Sequence, residues 1–179
     1  MRTALVIVDM QEGSFTPRSV RHDAVGLIER LNQLSNRIRA AGGLVVFVQH
    51  DGPLGDAHHP GAWGWPILSE LGQSANDFVV RKTTCDSFLD TELSQRLVER
   101  SVSRLIITGC ATDFCVDTTV RSALARRYET IVPEDGHTTS DRDHLAAEKI
   151  IAHHNAVWAD YIGPRGAATV LPCDAVRVP

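Results

Sequence analysis

Leu105-Ile106-Ile107-Thr108-Gly109-Cys110-Ala111-Thr112-Asp113-Phe114-Cys115 changes character twice within eleven residues, and both changes carry structural meaning. The first four residues form an apolar, β-branched run, which reads as a buried strand. Gly109 breaks the run and permits a tight turn. Thr112 and Asp113 are helix-starting residues, and helical periodicity continues over 116–127. Cys115 is therefore expected in the first turn of a helix that follows a buried strand. Free N–H groups and the positive end of a helix dipole favour a thiolate there, and the same N–H groups suit a developing oxyanion. This makes Cys115 a candidate nucleophile. The alternative is that it is a small buried hydrophobe.

The rest of the chain repeats the strand–helix alternation. Residues 3–8 form a continuous apolar run closed by Asp9, as expected of a strand buried on both faces. Apolar positions at helical spacing predict a helix over 23–41, ended by Gly42-Gly43. A second strand is expected at 44–48, a long Gly-, Pro-, His- and Trp-rich loop at 50–65, and one helical turn at 66–71. A third strand follows at 78–80 and a helix at 90–100, with Asp90 or Thr91 as cap. The central strand spans 104–108 and a fifth 129–132. A helix capped by Ser140 is expected over 140–154, with weaker strand candidates at 157–158 and 168–171. Alternation of this kind implies right-handed crossovers. The predicted fold is α/β, a three-layer α/β/α domain over 1–179. Its mostly parallel sheet has about six strands in the order 3-2-1-4-5-6.

Composition limits the function. The chain has 179 residues, 43% hydrophobic and 22% charged, within reach of one domain with one core. A net charge of −4 argues against a broad basic surface for nucleic acid, and no apolar run is long enough to span a bilayer. Four cysteines, at 85, 110, 115 and 173, lack zinc-ribbon spacing and are not needed as disulfide staples; a cytoplasmic protein is expected. No G-x-G-x-x-G follows the first strand, so a dinucleotide cofactor is not expected.

In parallel α/β sheets the working site lies at the carboxyl ends of the strands, where strand order reverses. Asp9, Gln49-His50, Lys82 and Cys115 follow strands one to four. A strand order of 3-2-1-4 brings Asp9 beside Cys115, with Lys82 reaching in on its long stem. A thiol, a carboxylate and an ammonium are the parts of a thioester mechanism. The carboxylate takes the thiol proton and hands it to the departing amine, the ammonium holds the carboxylate, and backbone N–H groups of the Gly109–Ala111 turn and of Cys115 receive the oxyanion.

Val6-Ile7-Val8-Asp9-Met10-Gln11 with Phe15, Arg81-Lys82 with Ser87-Phe88, and Gly109-Cys110-Ala111-Thr112-Asp113-Phe114-Cys115-Val116 together resemble the isochorismatase-like cysteine hydrolases over nearly the whole chain. The resemblance implies a catalytic triad of Asp9, Lys82 and Cys115. It also implies a cis peptide at Cys110–Ala111 that turns the Ala111 N–H into the site. Isochorismatases proper lack the cysteine, so Cys115 favours cleavage of an amide C–N bond over ether hydrolysis. Nicotinamidases add a metal site after the second strand. Here His50, Asp51, His58 and His59 are present but the Asp-x-His spacing is not, so neither metal nor other cofactor is expected.

Gln11, Phe15, Gln49, Trp65 and Phe114 are candidates to line a pocket for a small amide-type substrate. One of Trp63 and Trp65 is expected to pack beneath its loop, and Phe114 to be half core. His137 is a candidate for the carboxyl edge. Cys110 is expected to be buried filler, and Cys85 and Cys173 inert. A homodimer or homotetramer is the expected assembly, the 163–179 tail packing on another subunit. Two readings compete with the hydrolase: a small-molecule binding protein without turnover, and a thiol redox protein using Cys110 and Cys115.

Overall fold

The computed structural model describes residues 2–178. Strands β1 (Arg2–Val8), β2 (Leu44–His50), β3 (Phe78–Lys82), β4 (Val102–Cys110), β5 (Glu129–Pro133) and β7 (Thr169–Leu171) form one parallel sheet in the order β3-β2-β1-β4-β5-β7. The expected order is thus observed, with 169–171 in the sixth place. A two-residue stub, β6 (His137–Thr138), also pairs with the end of β4, an element the sequence reading did not include.

Alternation along each strand sorts the core into two layers. Leu5 and Ile7 of β1 join Val45 and Phe47 of β2 against Leu27, Leu31, Leu34 and Ile38 of helix α1 (Ala24–Ala40). Ala4, Val6 and Val8 join Leu105 and Ile107 on the other face. There they meet α2 (Leu93–Glu99), α3 (Asp117–Ala125) and α4 (Ala147–Ala159) through Leu93, Leu97, Val120, Leu124 and Trp158. Burial on both faces is why these strands read as continuous apolar runs.

Several boundaries differ from expectation. Helix α4 begins at Ala147, not Ser140, because Ser140 Oγ is spent on the Val20 carbonyl while Asp141 Oδ1 accepts the Ala147 N–H at 2.8 Å. Residues 157–158, a strand candidate, lie inside this helix. Helix α2 begins at Leu93 because Asp90 has φ +53°, outside helical space. The 66–71 segment is not a helical turn throughout: Ile67 bridges to Gln11, and only 68–71 closes a turn. The third strand runs two residues further than predicted and carries Lys82 within it.

The parallel pairing of the ends of β1 and β4, with Gly109 opposite Val8, requires a glycine. Gly109 has φ +119°, and a Cβ there would lie 2.1 Å from the Val8 carbonyl oxygen. That close approach sets the end of β1 against the turn leading to Cys115.

Candidate active site

The strand order reverses between β1 and β4, and three side chains meet at their carboxyl ends. Asp9 directly follows β1 in the left-handed region, φ 49°, which Asp tolerates better than most residues, and its N–H donates to Val48 O at 2.9 Å. Lys82 ends β3, two strands away, and its side chain is fully buried. Its Nζ donates to Asp9 Oδ2 at 2.6 Å, Thr84 O at 2.9 Å and Cys115 Sγ at 3.3 Å. Three acceptors use all three donors of the ammonium. Asp9 Oδ1 is buried without a hydrogen-bond partner, so one carboxylate oxygen is neutralised and the other is left to accept a proton.

Cys115 does not sit in the first turn of a regular helix. It belongs to a wide turn, Thr112–Val116, closed by Val116 N–H donating to Ala111 O at 3.1 Å, and α3 starts only after it. Thr112 and Asp113 do not cap. Thr112 Oγ1 bonds His137 Nδ1, and Asp113 receives Thr139 Oγ1 and a bidentate Arg142. The thiolate expectation is also corrected. Burial and the nearby Asp9 charge push the Cys115 thiol well above its ordinary range, against the opposing pull of Lys82. Burial alone would lower the Lys82 ammonium, but Asp9 and the Cys115 sulfur outweigh it and hold it above its usual value. The resting site is thus a thiol beside a carboxylate–ammonium pair.

The Cys110–Ala111 peptide is cis. The Ala111 N–H has no acceptor among the described residues. Ala111 and Cys115 both face a cavity of about 310 Å³ above the three side chains.

Among the predicted pocket residues, the structure brings Gln11 and Phe114 to this cavity. Gln11 is wholly committed to holding the loop: its amide donates to His50 O and Trp65 O and accepts from His50 N–H. Phe114 is 52% exposed at the cavity lip rather than half core, with the Arg142 guanidinium 5.1 Å above its ring. Phe15 is fully buried in the α1 layer, not in the cavity. Gln49 and Trp65 also lie outside the cavity lining. Gln49 donates to Trp65 O at 2.9 Å, and Trp65 Nε1 donates to Asp51 while Arg81 covers its ring at 5.2 Å. Trp63 is 64% exposed and lines a separate crevice formed by its own loop.

His137 does not reach the cavity. Asn155 Nδ2 donates to Glu134 O, which orients its Oδ1 to accept from His137 Nε2 at 3.0 Å. Nδ1 is then the acceptor for Thr112, and the ring is neutral, its pKa lowered by burial to about 4. His50, expected at the end of the second strand, and His58, read from the sequence only as a possible metal ligand, also line the cavity; the lining residues that sequence reasoning did not single out are Ser14, Arg21, Cys85 and Arg142. None sits in a recognisable motif. They reach the cavity from loops, and only loop packing reveals them.

The loop histidines do not assemble a metal site. Asp51 is spent on Trp65 and Arg81, and His58 lies between Asp56 and Ser14. Among the described residues no three His, Cys, Asp or Glu side chains cluster closely enough to hold a metal ion. No helix of the described residues is long and apolar enough to cross a membrane.

A doubly wound parallel sheet with a thiol, a carboxylate and a buried lysine at its reversal point defines a distinct class of α/β domain. This chain belongs to the isochorismatase domain family, whose model matches residues 3–160. It is 36% identical over 138 residues to a streptothricin hydrolase of Streptomyces noursei, covering 77% of this chain and 55% of that protein. The chain therefore spans about half the length of the streptothricin hydrolases it matches. It is 27% identical over 170 residues to ureidoacrylate amidohydrolase RutB of Stutzerimonas stutzeri (strain A1501), covering 74% of this chain and 68% of the relative. A crystal structure of an isochorismatase family protein superposes with TM-score 0.86 at 32% identity, over 94% of this chain and 97% of the other.

Proposed function

We propose that this protein is a cysteine hydrolase that cleaves the C–N bond of a small amide through a Cys115 thioester. The observation that carries this reading is the buried Lys82 ammonium at 2.6 Å from Asp9 and 3.3 Å from Cys115, the latter two lining a cavity. Because the sulfur rests as a thiol, a base must act before attack. Asp9 Oδ1 takes the proton as the sulfur bonds the carbonyl carbon, and the Lys82 charge, shared between Asp9 and the sulfur, stabilises the thiolate that forms. The carbonyl oxygen moves toward the N–H groups of Ala111 and Cys115. Collapse of the adduct breaks the C–N bond, and Asp9 returns its proton to the leaving nitrogen. Water, deprotonated by Asp9, then releases the acid and regenerates the thiol. Two relatives named as a streptothricin hydrolase and an amidohydrolase support this reaction class.

The test is intact-mass spectrometry during turnover of a panel of small amides, ureas and lactams. An acyl increment on Cys115, absent in Cys115→Ala together with all product release, is the expected result. Product formation by Cys115→Ala at the wild-type rate removes the thioester mechanism. The binding-protein reading predicts saturable ligand binding with no increment and no product.

A further inference from the structure

The charges lining the active cavity do not cancel. Three ionised side chains besides the histidines reach it: Asp9, Arg142 and Arg21. Asp9 is neutralised by Lys82 from below. Arg142 is neutralised by Asp113, which it grips in a bidentate pair at 2.9–3.1 Å. Among the described residues Arg21 has no carboxylate partner; its two hydrogen bonds are Nε to Ser14 O at 2.7 Å and one terminal nitrogen to Ser140 Oγ at 2.9 Å. The histidines do not restore balance. Burial, assisted by the Lys82 charge, lowers the pKa of His50, and His58 sits beside its own Asp56. The cavity thus carries one uncompensated positive charge, and it belongs to Arg21.

The guanidinium is also held in place. Its two hydrogen bonds tie it to Ser14 and to Ser140, distant in the chain, and the Phe15 ring lies under it at 6.0 Å. These contacts use two of the five N–H donors of arginine, and Arg21 lines the cavity, so donors remain for a molecule bound there. A planar fork with unused donors matches a carboxylate in two parallel bonds. Cys115, Ala111 and Arg21 line the same space of about 310 Å³, which is small enough that one compact molecule spans it.

We propose that Arg21 is the specificity-determining residue of this site, and that the substrate class is a small amide bearing a carboxylate at the end remote from the scissile carbonyl. The inference rests on the hydrolase reading for its chemistry but not for its recognition step. In use, the anionic end docks on Arg21, the amide carbonyl lies over Cys115, and a cationic analogue of the same length is repelled.

The experiment uses three primary amides of matched length that all release ammonia: succinamate, butyramide and β-alaninamide, which are anionic, neutral and cationic. The wild-type protein is expected to prefer them in that order. Loss of a charged hydrogen-bond partner corresponds to about 10- to 100-fold, so Arg21→Gln should lower kcat/KM for succinamate by that factor. The loss should fall on KM, with kcat and butyramide turnover within about twofold of wild type and partial recovery in Arg21→Lys. An equal fall for succinamate and butyramide would mean that Arg21 only braces its loops, and would overturn the proposal, as would a wild-type protein indifferent to charge. If none of the three is hydrolysed, succinamate and butyramide binding to Cys115→Ala, with and without Arg21→Gln, decides the question. Charge-selective binding that Arg21→Gln abolishes upholds the recognition role while the hydrolase reading falls; binding without selectivity, or no binding, overturns it.

Discussion

Replacing Lys82 by Met tests the central ion pair directly, because it removes the charge and keeps much of the length of the side chain. The Lys82 side chain is fully buried and that of Asp9 9% exposed. Asp9 Oδ1 already lacks a partner, so Lys82→Met leaves the whole carboxylate desolvated and unpaired. Breaking a buried pair from one side costs about 3–5 kcal/mol. For a chain of 179 residues that is a fall in Tm of roughly 10 °C, at about 2–4 °C per kcal/mol. Asp9→Asn is expected to cost a similar amount, since it leaves the ammonium with only Thr84 O and the Cys115 sulfur. The double variant buries no charge, so it should be more stable than either single variant, with a coupling energy of more than about 2 kcal/mol. It should have no activity.

The measurement is urea unfolding of the four proteins at pH 7, with amide turnover recorded alongside. The Lys82→Met deficit should also shrink as pH falls. A lone buried carboxylate has a raised pKa, so protonation at low pH relieves the folded state more than the unfolded one. Single variants whose losses simply add, or a Lys82→Met cost below about 1 kcal/mol, would show that the pair is well solvated and would refute the reasoning.

His137 supplies a second pH signature. Its folded pKa, near 4 against an ordinary 6.5, means that the fold holds it neutral. Its contribution is complete above pH 6.5 and declines as pH falls toward 4, by about 3 kcal/mol in all; His137→Gln should lose that acid dependence in urea titrations at stepped pH. Gly109→Ala drives a Cβ to 2.1 Å from the Val8 carbonyl at a φ of +119°, and is expected to cost more than about 4 kcal/mol, read as loss of folded yield or a collapsed Tm. Alkylation by iodoacetamide followed by peptide mapping should modify Cys85 in the native protein, and Cys115 more slowly because its sulfur rests as a thiol and must first lose its proton to Asp9. Cys110 and Cys173, 2% and 4% exposed, should react only after denaturation, and early labelling of either would contradict the packing described.

Much of this molecule was legible in one dimension, because local rules govern it. Strands buried on both faces must be apolar at every position, so β1, β2 and β4 announce themselves, and right-handed crossovers then dictate which strand ends meet. Asp9, Lys82 and Cys115 follow from that topology, since Asp9 and Lys82 sit where their strands stop and Cys115 lies in the turn that follows β4. Gly109 marks the one point where the backbone of β4 has no room for a side chain. Other features depended on competition between partners that pattern alone does not reveal. Thr112, Asp113 and Ser140 have capping chemistry, but nearer acceptors and donors from distant segments claimed their side chains. Trp65 has the look of a substrate wall, yet Asp51 and Arg81 hold it as a brace.

Protonation was likewise out of reach of the sequence. Proximity to a helix start suggested a thiolate, whereas burial beside Asp9 keeps the sulfur protonated. The charge of the cavity was decided in the same way. Arg21 and Arg142 are equivalent as letters, and only the fold places Asp113 against one and leaves the other facing the empty space, because ion pairing depends on separations of a few ångströms that loop packing sets.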